Sequence, residues 1–159
     1  MRDIKDRILN NNIIVYTDGA SRGNGEEHSV AAYAYYLLWH SLNKCNGKAF
    51  YDKTNNQMEI LAVISALKNI KRNDLPIIVH SDSALVVNCY NNGWYKKWCA
   101  NGWTKKGGLK NADLWKELIK ETKRFEKIKF VKVKGHSNDE LNNLVDKKCN
   151  ELMDQLLNN

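Results

Sequence analysis

The sequence predicts an α/β domain built on a five-stranded mixed sheet, three strands antiparallel plus two parallel, flanked by helices on both faces. Three observations carry that expectation. Near the N-terminus, apolar and β-branched runs follow one another with short polar breaks, as in an antiparallel meander. After Thr54 the apolar spacing turns helical. Beyond Pro76, short apolar runs alternate with longer amphipathic stretches, the pattern of right-handed parallel crossovers.

The first strand is expected over Ile13-Ile14-Val15-Tyr16-Thr17 and delivers Asp18 to a glycine-rich loop, Gly19 to Gly25. Ser29 to Trp39, rich in small and aromatic residues, reads as the second strand, Ser41 to Lys44 as a turn, and Cys45 to Tyr51 as the third. Thr54-Asn55-Asn56-Gln57 has capping-box form, so a helix should start at about Asn55, with Glu59 in its first turn, and be stopped by Asn73 to Pro76. Ile77 to His80 reads as the fourth strand, ending at Ser81-Asp82-Ser83, and a short helix is expected from Ser83 to Tyr90. A segment rich in Trp, Lys and Gly follows. Asn111 to Phe125 is amphipathic, with Leu114, Leu118 and Phe125 on its inner face. Ile128 to Val133 alternates like a half-exposed strand, and a loop from Lys134 to Asp139 leads to a last helix from Glu140 to about Leu156.

The chain of 159 residues, 43% hydrophobic and 27% charged, is expected to form a single domain with a proper core. No apolar run approaches the ~20 residues of a membrane span. The N-terminal residues lack the apolar centre of a signal peptide, so a cytoplasmic or other reducing intracellular compartment is expected. Cys45, Cys89, Cys99 and Cys149 are scattered without a C-x-x-C pair. That spacing argues against zinc or a disulfide frame and for buried or half-buried free thiols. A net charge of +7 and a pI near 9.2 suit a polyanionic partner.

Four acids stand in suggestive places. Asp18 and Asp82 each end a strand, Glu59 lies on a capped helix, and Asp146 lies within the last helix. Each also has a structural reading: a turn residue for Asp18, an N-cap for Asp82, a partner of the helix dipole for Glu59, a solvated charge for Asp146. If the first and fourth strands are neighbours, Asp18 and Asp82 stand side by side and repel unless a cation or a proton intervenes. Carboxylates without thiolates suit hard cations such as magnesium or manganese. Two such ions roughly 4 Å apart would activate water and stabilise the leaving oxygen of a phosphodiester. His136, in a polar loop, is a candidate proton shuttle.

The motifs Tyr16-Thr17-Asp18-Gly19-Ala20, Thr54 to Glu59, His80-Ser81-Asp82-Ser83, Val133-Lys134-Gly135-His136 and Asn142 to Asp146 resemble, in order and spacing, the type 1 ribonucleases H. The resemblance covers about residues 12 to 157. It implies the ribonuclease H-like fold and a magnesium-dependent endonuclease that cuts the RNA strand of an RNA–DNA hybrid, leaving 5′-phosphate and 3′-hydroxyl ends. It implies two Mg2+ ions per site, with Mn2+ an alternative, held by Asp18, Glu59, Asp82 and Asp146. His136 is similar to the family's mobile histidine. Ser21, Asn24, Thr54, Asn55, Asn56 and Asn111 look like substrate contacts, the asparagines at 24, 55 and 56 toward ribose 2′-hydroxyls and Thr54 and Asn111 toward a DNA phosphate. The loop departs from the family's Gly-Asn-Pro-Gly: Gly23-Asn24-Gly25-Glu26-Glu27 lacks the proline and adds two acids. The N-terminal hybrid-binding module of many eukaryotic members has no counterpart in the sequence, and a monomer without membrane attachment is expected.

Between Trp94 and Trp115, Lys96, Lys97, Lys105, Lys106 and Lys110 interleave with Trp98 and Trp103. Clustered lysines with aromatics suit phosphate tracking, and the resemblance places the family's basic protrusion here, with Trp94 lining a DNA-phosphate channel. Trp98 and Trp103 are expected to pack the protrusion onto the body. A hybrid-binding module without catalysis, and a nuclease of the same fold serving a retroelement or integration, are the competing readings. Retention of all five candidate active-site residues argues against the first, and the Thr54 to Glu59 stretch argues against integration.

Overall fold

The computed structural model describes residues 11–23, 28–134 and 139–158. Strands β1 (Ile13–Arg22), β2 (Val30–Trp39) and β3 (Leu42–Tyr51) form the antiparallel meander. Helix α1 (Asn55–Lys68) then crosses to β4 (Ile77–Ser81), which lies parallel to β1. Helices α2 (Ala84–Asn91), α3 (Trp94–Ala100) and α4 (Ala112–Thr122) precede β5 (Ile128–Lys132), parallel to β4, and α5 (Glu140–Leu157) ends the chain. The sheet order is β3-β2-β1-β4-β5.

The alternation of β1 divides the core. Ile13 and Val15 face α1, α2 and α4, where Ile60, Val63, Ile64, Leu67, Val86, Trp115 and Leu118 are buried. Ile14 and Tyr16 face α5, where Val145, Cys149 and Met153 are buried. Because β1 is central and covered on both faces, its apolar run is continuous rather than alternating.

Several element boundaries differ from expectation, each for a local reason. The β2–β3 turn is only His40-Ser41, and Leu42 pairs with Trp39, so β3 begins before Cys45. His40 takes a left-handed φ of 55° that closes so short a hairpin. Helix α1 stops at Lys68 instead of running to Asn73. Arg124 reaches across to donate to the Leu67 and Ile70 carbonyls at 3.0 and 2.7 Å, satisfying backbone that a longer helix would have satisfied itself. The Trp-Lys-Gly segment contains a helix, α3, where sequence periodicity showed none. In α4 the inward face is Trp115, Leu118 and Ile119, Leu114 is half-buried, and Phe125 is buried beyond the helix end. All four cysteines are free, but only Cys89 and Cys149 are buried; Cys45 and Cys99 are exposed, because they fall on an edge strand and on α3. Among the described residues no helix is long and apolar enough to cross a membrane.

Candidate active site

The last registered pair between β1 and β4 is Thr17 with Ser81. Asp18 and Asp82 therefore emerge side by side at the carboxyl ends of two parallel strands, where α/β sheets place their sites. Ser83, not Asp82, caps α2, its hydroxyl accepting from the Val86 N–H at 3.2 Å. The Asp82 carboxylate is thereby left to the cluster.

Glu59 arrives from α1. The capping box at its start is complete: Thr54 Oγ1 accepts from the Gln57 N–H at 3.1 Å, and Gln57 Oε1 accepts from the Thr54 N–H at 2.8 Å. Counted from that cap, Glu59 falls in the second turn, not the first. It is buried, at 4% exposure, so partnership with the helix dipole does not account for it. Gly19 accounts for its position: a Cβ there would lie 2.4 Å from the Glu59 nitrogen and 2.6 Å from the Met58 carbonyl carbon. Only glycine lets α1 and β1 approach closely enough for Glu59 to reach over Asp18.

One carboxylate oxygen from each of Asp18, Glu59 and Asp82 lies within 4.8 Å of the others. Asp146, half-buried on α5, lies close enough for its charge to act on Asp18. Burial, then the charges of Asp82 and Asp146, pushes Asp18 up to about 8. Glu59 is raised well above the ordinary carboxylate range by burial, then by Asp18 and Asp82. Glu59 Oε2 is fully enclosed and has no hydrogen-bond partner. An orphaned acceptor among crowded carboxylates is costly unless a cation neutralises it. The all-oxygen donor set fits a hard divalent ion, not a thiolate-seeking one.

The other candidate contacts lie around this cluster. Thr54, Asn55 and Asn56 are exposed at the start of α1, and Ser21 is half-buried near the end of β1. Asn111 stands at the head of α4 with a left-handed φ of 61° and makes no side-chain capping bond. Trp94 is 39% exposed. It lines a groove of about 440 Å³ with Asn92, Gly93, Lys97, Trp98 and Lys105. Lys96 and Lys106 are exposed but outside that lining. Trp98 and Trp103 pack against the main core, Trp98 with its ring 5.6 Å from that of Trp115. Asn92 and the second role of Trp98 went unread because nothing in their spacing marks a groove wall. His136 and Asn24 lie outside the described residues.

Fold and site together define a class: an α/β protein whose sheet presents a carboxylate cage of the kind that divalent-metal hydrolases use. The family model described as RNase H matches residues 10–154. The chain is 45% identical to a ribonuclease H of Clostridium botulinum over 90% of its own length and 96% of the relative's. It is 41% identical to one of Caldanaerobacter subterraneus subsp. tengcongensis, over 91% and 94%. Among solved structures it is similar to LC11-RNase H1 in complex with an RNA/DNA hybrid, with a TM-score of 0.66 and 25% identity over 92% of this chain and 99% of that one. The crystal structure of LC9-RNase H1 shares the fold, with a TM-score of 0.79 and 21% identity over 90% of this chain and 72% of that one. The chain belongs to the ribonuclease H family.

Proposed function

We propose that this chain is a single catalytic domain that hydrolyses the RNA strand of RNA–DNA hybrids, with Asp18, Glu59, Asp82 and Asp146 as its metal ligands and Mg2+ as its working ion. The observation that carries the reading is the convergence of three acids from β1, α1 and β4 within 4.8 Å, one of them with an orphaned buried oxygen. Divalent ions held there supply Lewis acidity for the attacking water and offset charge on the departing 3′ oxygen.

The protein's own groups do the rest. Asn55 and Asn56, exposed one turn before Glu59 on α1, offer amides to ribose 2′-hydroxyls, and with Asn24 and Ser21 they favour RNA in the strand that is cut. Trp94, Lys96, Lys97, Lys105 and Lys106, with Thr54 and Asn111, hold the phosphates of the DNA strand. These contacts read backbone and groove shape rather than base sequence. His136 hands a proton to the leaving 3′ oxygen or helps the product depart. The fit of such a site to a long polyanion agrees with the net charge of +7.

A labelled hybrid incubated with the protein and Mg2+, Mn2+ or chelator tests the reading. RNA cut to 5′-phosphate and 3′-hydroxyl ends only with metal is expected. Intact RNA at micromolar protein, or equal cutting of duplex DNA, overturns it.

A further inference from the structure

Strand β1 and helix α5 lie against each other like the two rails of a ladder. Tyr16, Asp18 and Arg22 share one face of β1 by the two-residue alternation of a strand. Asp139, Asp146, Asn150 and Asp154 follow one another at helical spacing along one side of α5 and its cap. Three rungs join them. The Tyr16 hydroxyl donates to Asp139 Oδ2 at 2.7 Å. Asp18 meets Asp146. Arg22 donates through Nη1 to Asp154 Oδ1 at 2.6 Å and through Nη2 to Asn150 Oδ1 at 2.8 Å.

The middle rung pairs two carboxylates, and the outer rungs are hydrogen-bonded or ionic. Both outer rungs also act on the helix itself. Asp139 caps α5 through Oδ1, which accepts from the Leu141 N–H at 3.2 Å. The Asn150 side chain donates to the Asp146 carbonyl at 3.1 Å. The Tyr16 ring is fully buried and stacked on His80, centroids 4.3 Å apart and planes 2° from parallel, which fixes where its hydroxyl points.

We propose that Tyr16 and Arg22 are positioning residues that bolt α5 to β1 on either side of the Asp18–Asp146 contact, holding Asp146 in place before a cation arrives. This rests on the reading of Asp18 and Asp146 as cation ligands. Without the bolts, α5 relaxes away from Asp18, and each binding event must first bring Asp146 back. Apparent metal affinity then falls by the fraction of molecules still assembled, while the fully loaded site works as before.

Mg2+ titrated by calorimetry into wild type, Tyr16→Phe, Arg22→Met and the double variant, without nucleic acid, tests this. Tyr16→Phe keeps the ring and its stack and loses only the hydroxyl. Roughly three- to tenfold weaker binding is expected for each single variant, the scale of one typical net intramolecular hydrogen bond, and a larger loss for the double variant. Arg22→Met separates the bolt from simple electrostatics by sign. Loss of a nearby positive charge alone would tighten Mg2+ binding, whereas loss of the bolt weakens it. In hybrid cleavage, the half-saturating Mg2+ concentration should rise by the same factor, with the maximal rate within about twofold of wild type.

Unchanged Mg2+ affinity with only a lower Tm, tighter binding by Arg22→Met, or a lost rate that Mg2+ does not rescue would overturn the proposal. If one variant fails to fold, the other decides. A wild type that takes up Mg2+ yet leaves hybrid intact refutes the nuclease reading and leaves the affinity order as the test of the bolts. A wild type that takes up no Mg2+ ends the metal reading and this one together.

Discussion

In the acid cluster, carboxylates lie within 4.8 Å of one another, and Asp18 and Glu59 are buried. On the arm from Trp94 to Lys110, five lysines crowd together in sequence but are all exposed. Like charges in solvent are screened over about 8 Å at physiological salt and cost little. Like charges in a cleft are not, and rigid elements must force them together: the registered pair of β1 and β4, the glycine contact beneath α1, and α5. The cluster therefore needs a proton or a cation to relieve its repulsion, and the arm presents an exposed positive field to a polyanion. Damage to the first should appear in turnover, and damage to the second in KM and salt dependence.

The largest effect is expected from the cluster. Asp18→Asn or Asp82→Asn should cut turnover on hybrid by on the order of 10³-fold while hybrid binding persists. The metal-free Asp18→Asn protein should melt above wild type in chelator, since a crowded carboxylate has gone. Substantial residual turnover would remove these residues from the chemistry. Gly19→Ala, which places a methyl 2.4 Å from α1 backbone, should cost about 1–3 kcal/mol in denaturant titration and weaken Mg2+ binding along with it.

On the arm, Lys97→Ala with Lys105→Ala should raise KM several-fold, leave kcat near wild type, and lower the slope of log affinity against log salt by about two. Lys96→Ala with Lys106→Ala, outside the groove lining, should do less. Equal effects of the two pairs would mean that the groove has no privileged place in binding.

The remaining effect is in pH. Asp18 is held near 8 when folded and takes its ordinary value near 3.8 when unfolded. Between those values the folded protein binds a proton that the unfolded chain lacks. Metal-free stability should therefore fall as pH rises through that window. Mg2+ competes with the same proton, so its stabilising shift in Tm should be larger at pH 8 than at pH 6. A pH-independent Mg2+ shift would contradict this.

What the sequence made legible follows the same division. The succession of strands and most helices could be read because β1 and β4 are short apolar runs and α1 carries a cap in its own four residues. The meeting of Asp18 with Asp82 followed only if β1 and β4 were neighbours, a condition that the parallel register of the two strands meets. That Glu59 turns inward could not be read, because it depends on Gly19, a residue that also reads as an ordinary turn former. Asp82 and Ser83 both qualify as an N-cap by type, and only geometry shows that Ser83 takes the place. Helix α3 stayed hidden because it buries none of its seven residues fully, so it leaves no apolar period. The clamps across β1 and α5 join residues more than 120 positions apart, beyond any local pattern.

Cys149 sits between those clamps. Its thiol lies 3.6 Å from the Asp18 carbonyl and 3.7 Å from that of Ala32. Burial, then the nearby acids, raises its pKa so far that no thiolate forms there at neutral pH. A disulfide reagent would reach the exposed Cys45 and Cys99 in the folded protein but Cys149 only when α5 lifts from the sheet. The thiol is thus a built-in clock for that motion, its labelling rate reporting how often the helix departs and how far a bound cation slows it.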